Sequence, residues 1–122
     1  MQLEGRAHDK QCSKSGKYTM ANGFSSGMPY WVKSDGTNAL WFLNVKGYWM
    51  IGPKSKLGEN EGYLHSTNSP LCPESVGSHW KYWDDGEFLD AQGNAKMYKY
   101  EGMTYQGNKQ FIYGEFKNLN SN

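Results

Sequence analysis

Flat aromatic rings beside amides and carboxylates are the groups in this sequence best suited to chemistry. Trp31, Lys33, Asn38, Asn44 and Tyr48 make one such set, and Trp80, Trp83, Asp84 and Asp85 make a second. A saccharide presents an apolar C–H face and a rim of hydroxyls, so recognising it takes a ring to stack on and planar donors and acceptors beside the ring. Both sets supply those groups. Small aromatic-rich β domains also use the same rings as core, so a packing role stands beside the binding role for each tryptophan.

Other chemistries find weaker footing. The run "WDDGEFLD" gathers Asp84, Asp85, Glu87 and Asp90. Calcium favours oxygen-rich loops, but the spacing is not that of an EF-hand, and Asp85-Gly86 reads more simply as a hairpin turn. His8, Cys12, His65, Cys72 and His79 are zinc-ligand types without the paired spacing of a zinc site. No metal or other cofactor is expected. Cys72 with His79 or His65, or Ser66 beside His65, pairs a nucleophile with a base, yet no strained glycine elbow surrounds them. Glu87, Asp84 and Glu101 lie among aromatics as the carboxylates of a small hydrolase would, and their separation would decide that chemistry.

These side chains need a scaffold, and the composition favours strands. The chain has 122 residues, enough for one domain; 16% are aromatic and fifteen are glycine. Short aromatic and β-branched runs alternate with glycine-bearing turns at the spacing of an antiparallel meander. Strands are expected near 17–20, 29–33, 39–44, 48–52, 62–65, 79–83, 87–90, 95–100 and 110–116, with no long helix. The class is all-β, a single meander curling into a small barrel or sandwich over residues 17–122. Residues 1–16 read as a flexible lead-in or part of an expression leader. Two polar loops, Gly52–Gly62 and Ser66–Ser78, read as exposed connections that could border a site.

Two hairpins sort the central side chains into faces. Asp35-Gly36 suits a two-residue type I′ turn, pairing Trp31 with Leu40 and Val32 with Ala39. Asn44 to Gly47 suits a type I turn with a glycine bulge, pairing Leu43 with Trp49 and Trp41 with Ile51. Alternation then puts Tyr30, Val32, Ala39, Trp41, Leu43, Trp49 and Ile51 on a core face. Trp31, Lys33, Asn38, Leu40, Phe42, Asn44, Tyr48 and Met50 fall on a ligand-facing one. A one-residue slip in either hairpin would swap the faces.

Charge and cysteines bound the partners. Thirteen basic against twelve acidic residues leave +1, which argues against a phosphate-backbone binder and so against nucleic acid. No apolar run reaches the roughly 18–20 residues of a membrane-spanning helix. A Cys12–Cys72 disulfide would close a loop of about 60 residues and add about 4 kcal/mol by the chain-entropy model. Two separate buried thiols are the competing arrangement.

Taken in order, "GKYTMANG", "GMPYWVKSDG", "LWFLNVKGYWMIG", "GYLHS" and "HWKYWDDGEF" resemble a small Trp- and Gly-rich β module, often in tandem, found in large and frequently extracellular eukaryotic proteins. Its pattern runs Gly-x-Tyr, Tyr-Trp-x-Ile-Gly, Gly-Tyr, then Trp, and it covers about residues 16–88. The proline spacing and the long C-terminal tail depart from it. The resemblance implies a non-enzymatic interaction module and an extracellular or secreted setting, and it transfers no site residue. The expectation is a non-catalytic binding module with a glycan or other extracellular ligand, carbohydrate leading, its weak single sites multiplied by homo-oligomers or tandem copies. A structural or adhesive protein acting by self-assembly is the alternative, and a small hydrolase using the acidic cluster the third.

Overall fold

The computed structural model describes residues 14–99 and 111–116. Cys12, most of the expected lead-in, and residue 100 of the strand expected at 95–100 lie outside the described residues, as does residue 110. Among the described residues nine strands form: β1 (Gly16–Ser25), β2 (Met28–Lys33), β3 (Asn38–Leu43), β4 (Tyr48–Pro53), β5 (Leu64–Ser66), β6 (Trp80–Asp84), β7 (Glu87–Asp90), β8 (Ala95–Lys99) and β9 (Phe111–Phe116). Among the described residues the longest helical piece is a four-residue 3-10 turn, Pro73–Val76, and no helix is long and apolar enough to cross a membrane.

All pairings are antiparallel, in one sheet of order β7-β6-β5-β4-β3-β2-β1-β9-β8 that curls into a half-barrel. The chain meanders from β1 to β7, and the β8–β9 hairpin then adds to the other side of β1 through Gly16↔Gly114 and Tyr18↔Ile112. Only four residues, 91–94, join the two edge strands β7 and β8. They can span roughly 14 Å at most, so the sheet must curl to bring its ends together.

Glycine sets the turns. Ser26-Gly27 (φ 55° and 78°) and Asp85-Gly86 (φ 53° and 97°) are two-residue turns with both φ positive, as the tight twisted hairpin requires. Asp85-Gly86 is the turn expected. The β2–β3 register is also the expected one, Trp31↔Leu40 and Val32↔Ala39. Its turn differs from the type I′ expected, because Gly36 alone is left-handed, its N–H reaching the Lys33 carbonyl at 2.8 Å.

The β3–β4 register is shifted by one residue from the expected pairing. The Leu43 carbonyl accepts both the Lys46 and the Gly47 N–H, so the loop holds four residues, 44–47, and closes on Leu43↔Tyr48. Trp41 therefore faces Met50, Phe42 faces Trp49 and Leu40 faces Ile51. This corrects both faces. The concave face carries Tyr18, Trp31, Leu40, Trp49, Ile51, Leu64, Trp80, Met97, Ile112 and Phe116, one buried cluster drawn from strands across the sheet. The convex face carries a second cluster of Ala39, Trp41, Leu43 and Met50, packed by Tyr30, Tyr48 and Leu57. Trp31, expected to face ligand, is core, and so is Trp80.

The two long loops are mostly exposed, as expected, but both are also docked against the sheet. Segment 67–79 places Val76 in the concave cluster. It accepts the Trp49 indole N–H at the Pro70 carbonyl (2.8 Å) and the Trp80 indole N–H at the Gly77 carbonyl (3.0 Å). Gly77 also takes the Met97 N–H at 2.9 Å, so this loop covers part of the β8 edge. Segment 54–62 folds back over the convex face. A Cβ on Gly52 would stand 2.8 Å from the Glu61 carbonyl oxygen and 3.0 Å from Trp41, and one on Gly62 would stand 2.7 Å from the Ile51 carbonyl and Met50. Both positions need glycine for close approach, and the loop they permit buries Trp41 completely.

Candidate functional site

Strand alternation and register decide which of the candidate side chains meet. Trp31 lies in the concave core with its ring edge-on to Trp49 at 6.0 Å. Lys33 lies opposite Tyr18, its stem against Gly16 and its ammonium 2.8 Å from Asp35. That ammonium and two hydrogen bonds from Thr37 hold the Asp35 carboxyl well below the usual carboxylate range. Asn38 is buried and donates to the Thr37 hydroxyl at 3.0 Å. Asn44 is exposed in the β3–β4 turn, and Tyr48 lies on the convex face. The first set is thus divided between two faces and a turn.

The second set is divided in the same way. Trp80 and Asp84 are buried, while Asp85 occupies the exposed turn. Trp83 points the other way, onto the convex face, and is 42% exposed where the remaining four tryptophans are at most 4% exposed. Asp84 pairs with Glu87 across the hairpin, on the opposite side from Trp83 and its partner Phe88. The register therefore separates the acidic pair from the rings. Cys72 is exposed on segment 67–79, and Cys12, its proposed partner, lies outside the described residues.

Trp83 ends a row of four rings that crosses the convex face. Tyr48 of β4 stacks on His65 of β5 with centroids 4.0 Å apart and planes 11° apart. His65 meets Phe88 of β7 edge-on at 4.5 Å, and Phe88 meets Trp83 of β6 edge-on at 5.1 Å. Edge-to-face and stacked pairs each add about 0.5–1.5 kcal/mol beyond area burial, so the row forms a continuous aromatic wall. At its Trp83 end opens a cleft of about 390 Å³, lined by Met50, Pro53, Asn60, Glu61, Gly62, Tyr63, Trp83 and Phe88. Apolar rings form one side, and the polar Asn60 and Glu61 come from the docked 54–62 loop.

Most of these lining residues were missed from sequence. The available signal was the pair Gly52 and Gly62 bracketing "GPKSKLGENEG": two glycines at the ends of a polar loop can permit close backbone approach as well as a turn. Glu61 is exposed and forms a loose pair with Lys56 at 3.6 Å. Tyr63 carries the Lys14 ammonium 3.8 Å from its ring centroid.

His65 makes the wall sensitive to pH. Its Nδ1 lies 2.8 Å from the Ser66 carbonyl, which can only accept, so Nδ1 carries the proton. Burial holds the imidazole below the ordinary histidine range; the Ser66 contact opposes this, and Lys81 and Lys46 reinforce it. A depressed histidine favours the neutral ring in the fold, so its contribution to stability is present above about pH 6.5 and is lost as pH falls towards the lower folded value. Between about pH 7.5 and pH 5, wild type should lose more thermal stability than His65→Phe, which keeps the stack without the titration. Equal losses in the two proteins would contradict the assignment.

No protein-family model matches the chain, and no curated protein or solved structure matches it.

Proposed function

We propose that the protein is a non-catalytic binding module whose convex-face cleft takes a saccharide. The observation that carries this reading is the exposure of Trp83 beside Asn60 and Glu61 when every other tryptophan is buried. Leaving 42% of one large ring in water forgoes about 2 kcal/mol of burial by area, and a binding role accounts for that cost. In the proposed complex the C–H face of a sugar stacks on Trp83 with Phe88 as a side wall. The amide of Asn60 and the carboxylate of Glu61 exchange hydrogen bonds with its hydroxyls. A cleft near the small end of the roughly 300–1,000 Å³ range of ligand sites holds a short stretch of glycan. Single-site affinity is then weak, and tandem copies or oligomers raise it.

The resemblance to tandem, frequently extracellular Trp/Gly-rich modules points the same way and supports an extracellular or secreted setting. No catalytic step is assigned. Screening on a multivalent glycan array, followed by tryptophan-fluorescence titration of the best hit, tests the proposal. A saturable change in emission is expected, since Trp83 is the exposed fluorophore. No response to any glycan, together with concentration-dependent self-association, would overturn it in favour of an adhesive or structural role.

A further inference from the structure

We infer that the cleft selects by charge, preferring saccharides that carry a protonated amine over neutral ones and rejecting acidic ones. The inference rests on the saccharide reading above and names the class of sugar.

Three features of the lining lead to it. Glu61 is the single charged residue among the eight described residues that form the cleft, and it is acidic. Trp83 and Phe88 stand about perpendicular, 70° between planes, so one offers a ring face where the other offers an edge. An indole face is the strongest aromatic site for a cation, because the ring quadrupole places negative potential above the plane. A carboxylate and an exposed indole in one cleft attract an ammonium and repel a second carboxylate.

The fold already uses this contact close by. The Lys14 ammonium lies 3.8 Å from the centroid of Tyr63, another lining residue, which also commits that ring to an internal cation and leaves Trp83 and Phe88 for the ligand. Glu61 can exchange its present partner cheaply: Lys56 is 3.6 Å away, and both side chains are well exposed, 41% and 63%. An exposed pair of that length contributes little, so a ligand amine seated beside the indole can replace it. Asn60 remains for hydroxyls in either case.

The test uses three tetrasaccharides of comparable length: β-1,4-linked glucosamine, its fully N-acetylated counterpart, and galacturonate. Each is titrated by tryptophan fluorescence at about pH 5.5, where the glucosamine amines, less basic than a simple aliphatic amine because of the neighbouring oxygens and like charges, are largely protonated. The glucosamine oligomer should bind about tenfold tighter than the acetylated one, the combined effect of one cation–π contact and one ion pair, and galacturonate should bind least. Glu61→Gln should bring the amine and acetylated forms close to parity, because it weakens the amine form far more than the acetylated one. Raising the salt should shrink the preference in wild type. Equal binding of the neutral and amine forms, or no effect of Glu61→Gln on their ratio, overturns the charge reading alone and leaves the saccharide reading standing. Silence with all three sugars and across the array overturns both.

Discussion

Trp31→Ala and Trp41→Ala should each destabilise the protein by about 3–5 kcal/mol, the cost of deleting a large ring from a packed interior. In a chain of this size that is a fall in melting temperature on the order of 10–20 °C. The two variants are informative together because they lie on opposite faces of the sheet. Trp31 sits in the concave cluster against Trp49, and Trp41 sits in the convex cluster beneath the 54–62 loop. In the alternative register Trp31 would be a ligand-facing ring and its removal would barely affect stability. Chemical denaturation of both variants decides between the two registers. A large loss for Trp41→Ala with almost none for Trp31→Ala would contradict the observed pairing of Trp41 with Met50.

Gly52→Ala should damage both the fold and the cleft. The added methyl would stand 2.8 Å from the Glu61 carbonyl oxygen and 2.8 Å from the Gly62 Cα, both backbone atoms that cannot rotate aside. The 54–62 segment must lift. Overpacking of this kind costs about 1–3 kcal/mol, and partial exposure of Trp41 adds to it. Because Asn60 and Glu61 ride on the same segment, saccharide affinity should fall by about tenfold or more even where the protein remains folded. Gly47→Ala is the control. Its methyl meets nothing within 4 Å, so it strains only the left-handed turn, at φ 74°, and should leave the cleft intact. Affinity unchanged in Gly52→Ala would mean that the loop does not position the site.

The strands were legible because local rules agree along most of this chain. Aromatic and β-branched runs alternate with glycine turns, and nine strands stand at the nine expected places with shifted ends. The β3–β4 register was not legible, for a definite reason. Asn44 to Gly47 supports a three-residue or a four-residue loop with the same left-handed Gly47, and the two differ by one residue of register. Hydrophobic pattern usually settles such a choice, but β3 and β4 are buried on both faces, so "ALWFL" and "YWMIG" show no alternation to read. The cleft was hidden for a related reason. Segment 54–62 docks mainly through backbone at Gly52 and Gly62 and through Leu57, leaving a polar composition that looks like solvent-exposed loop. Of the nominated rings and polar groups, Trp83 alone lines the cleft, and its partners come from strands and a loop distant in sequence.

Trp83→Ala removes the proposed stacking ring and changes no polar group of the cleft. Wild type and variant are titrated with the best-binding glycan by calorimetry, alongside their thermal unfolding. The variant should remain folded with a melting temperature lowered by roughly 5–10 °C, because more than half of the ring is buried against neighbours such as Phe88, and its affinity should fall by more than about tenfold. A folded Trp83→Ala protein that binds the glycan as tightly as wild type would contradict the account and place the site elsewhere on the molecule.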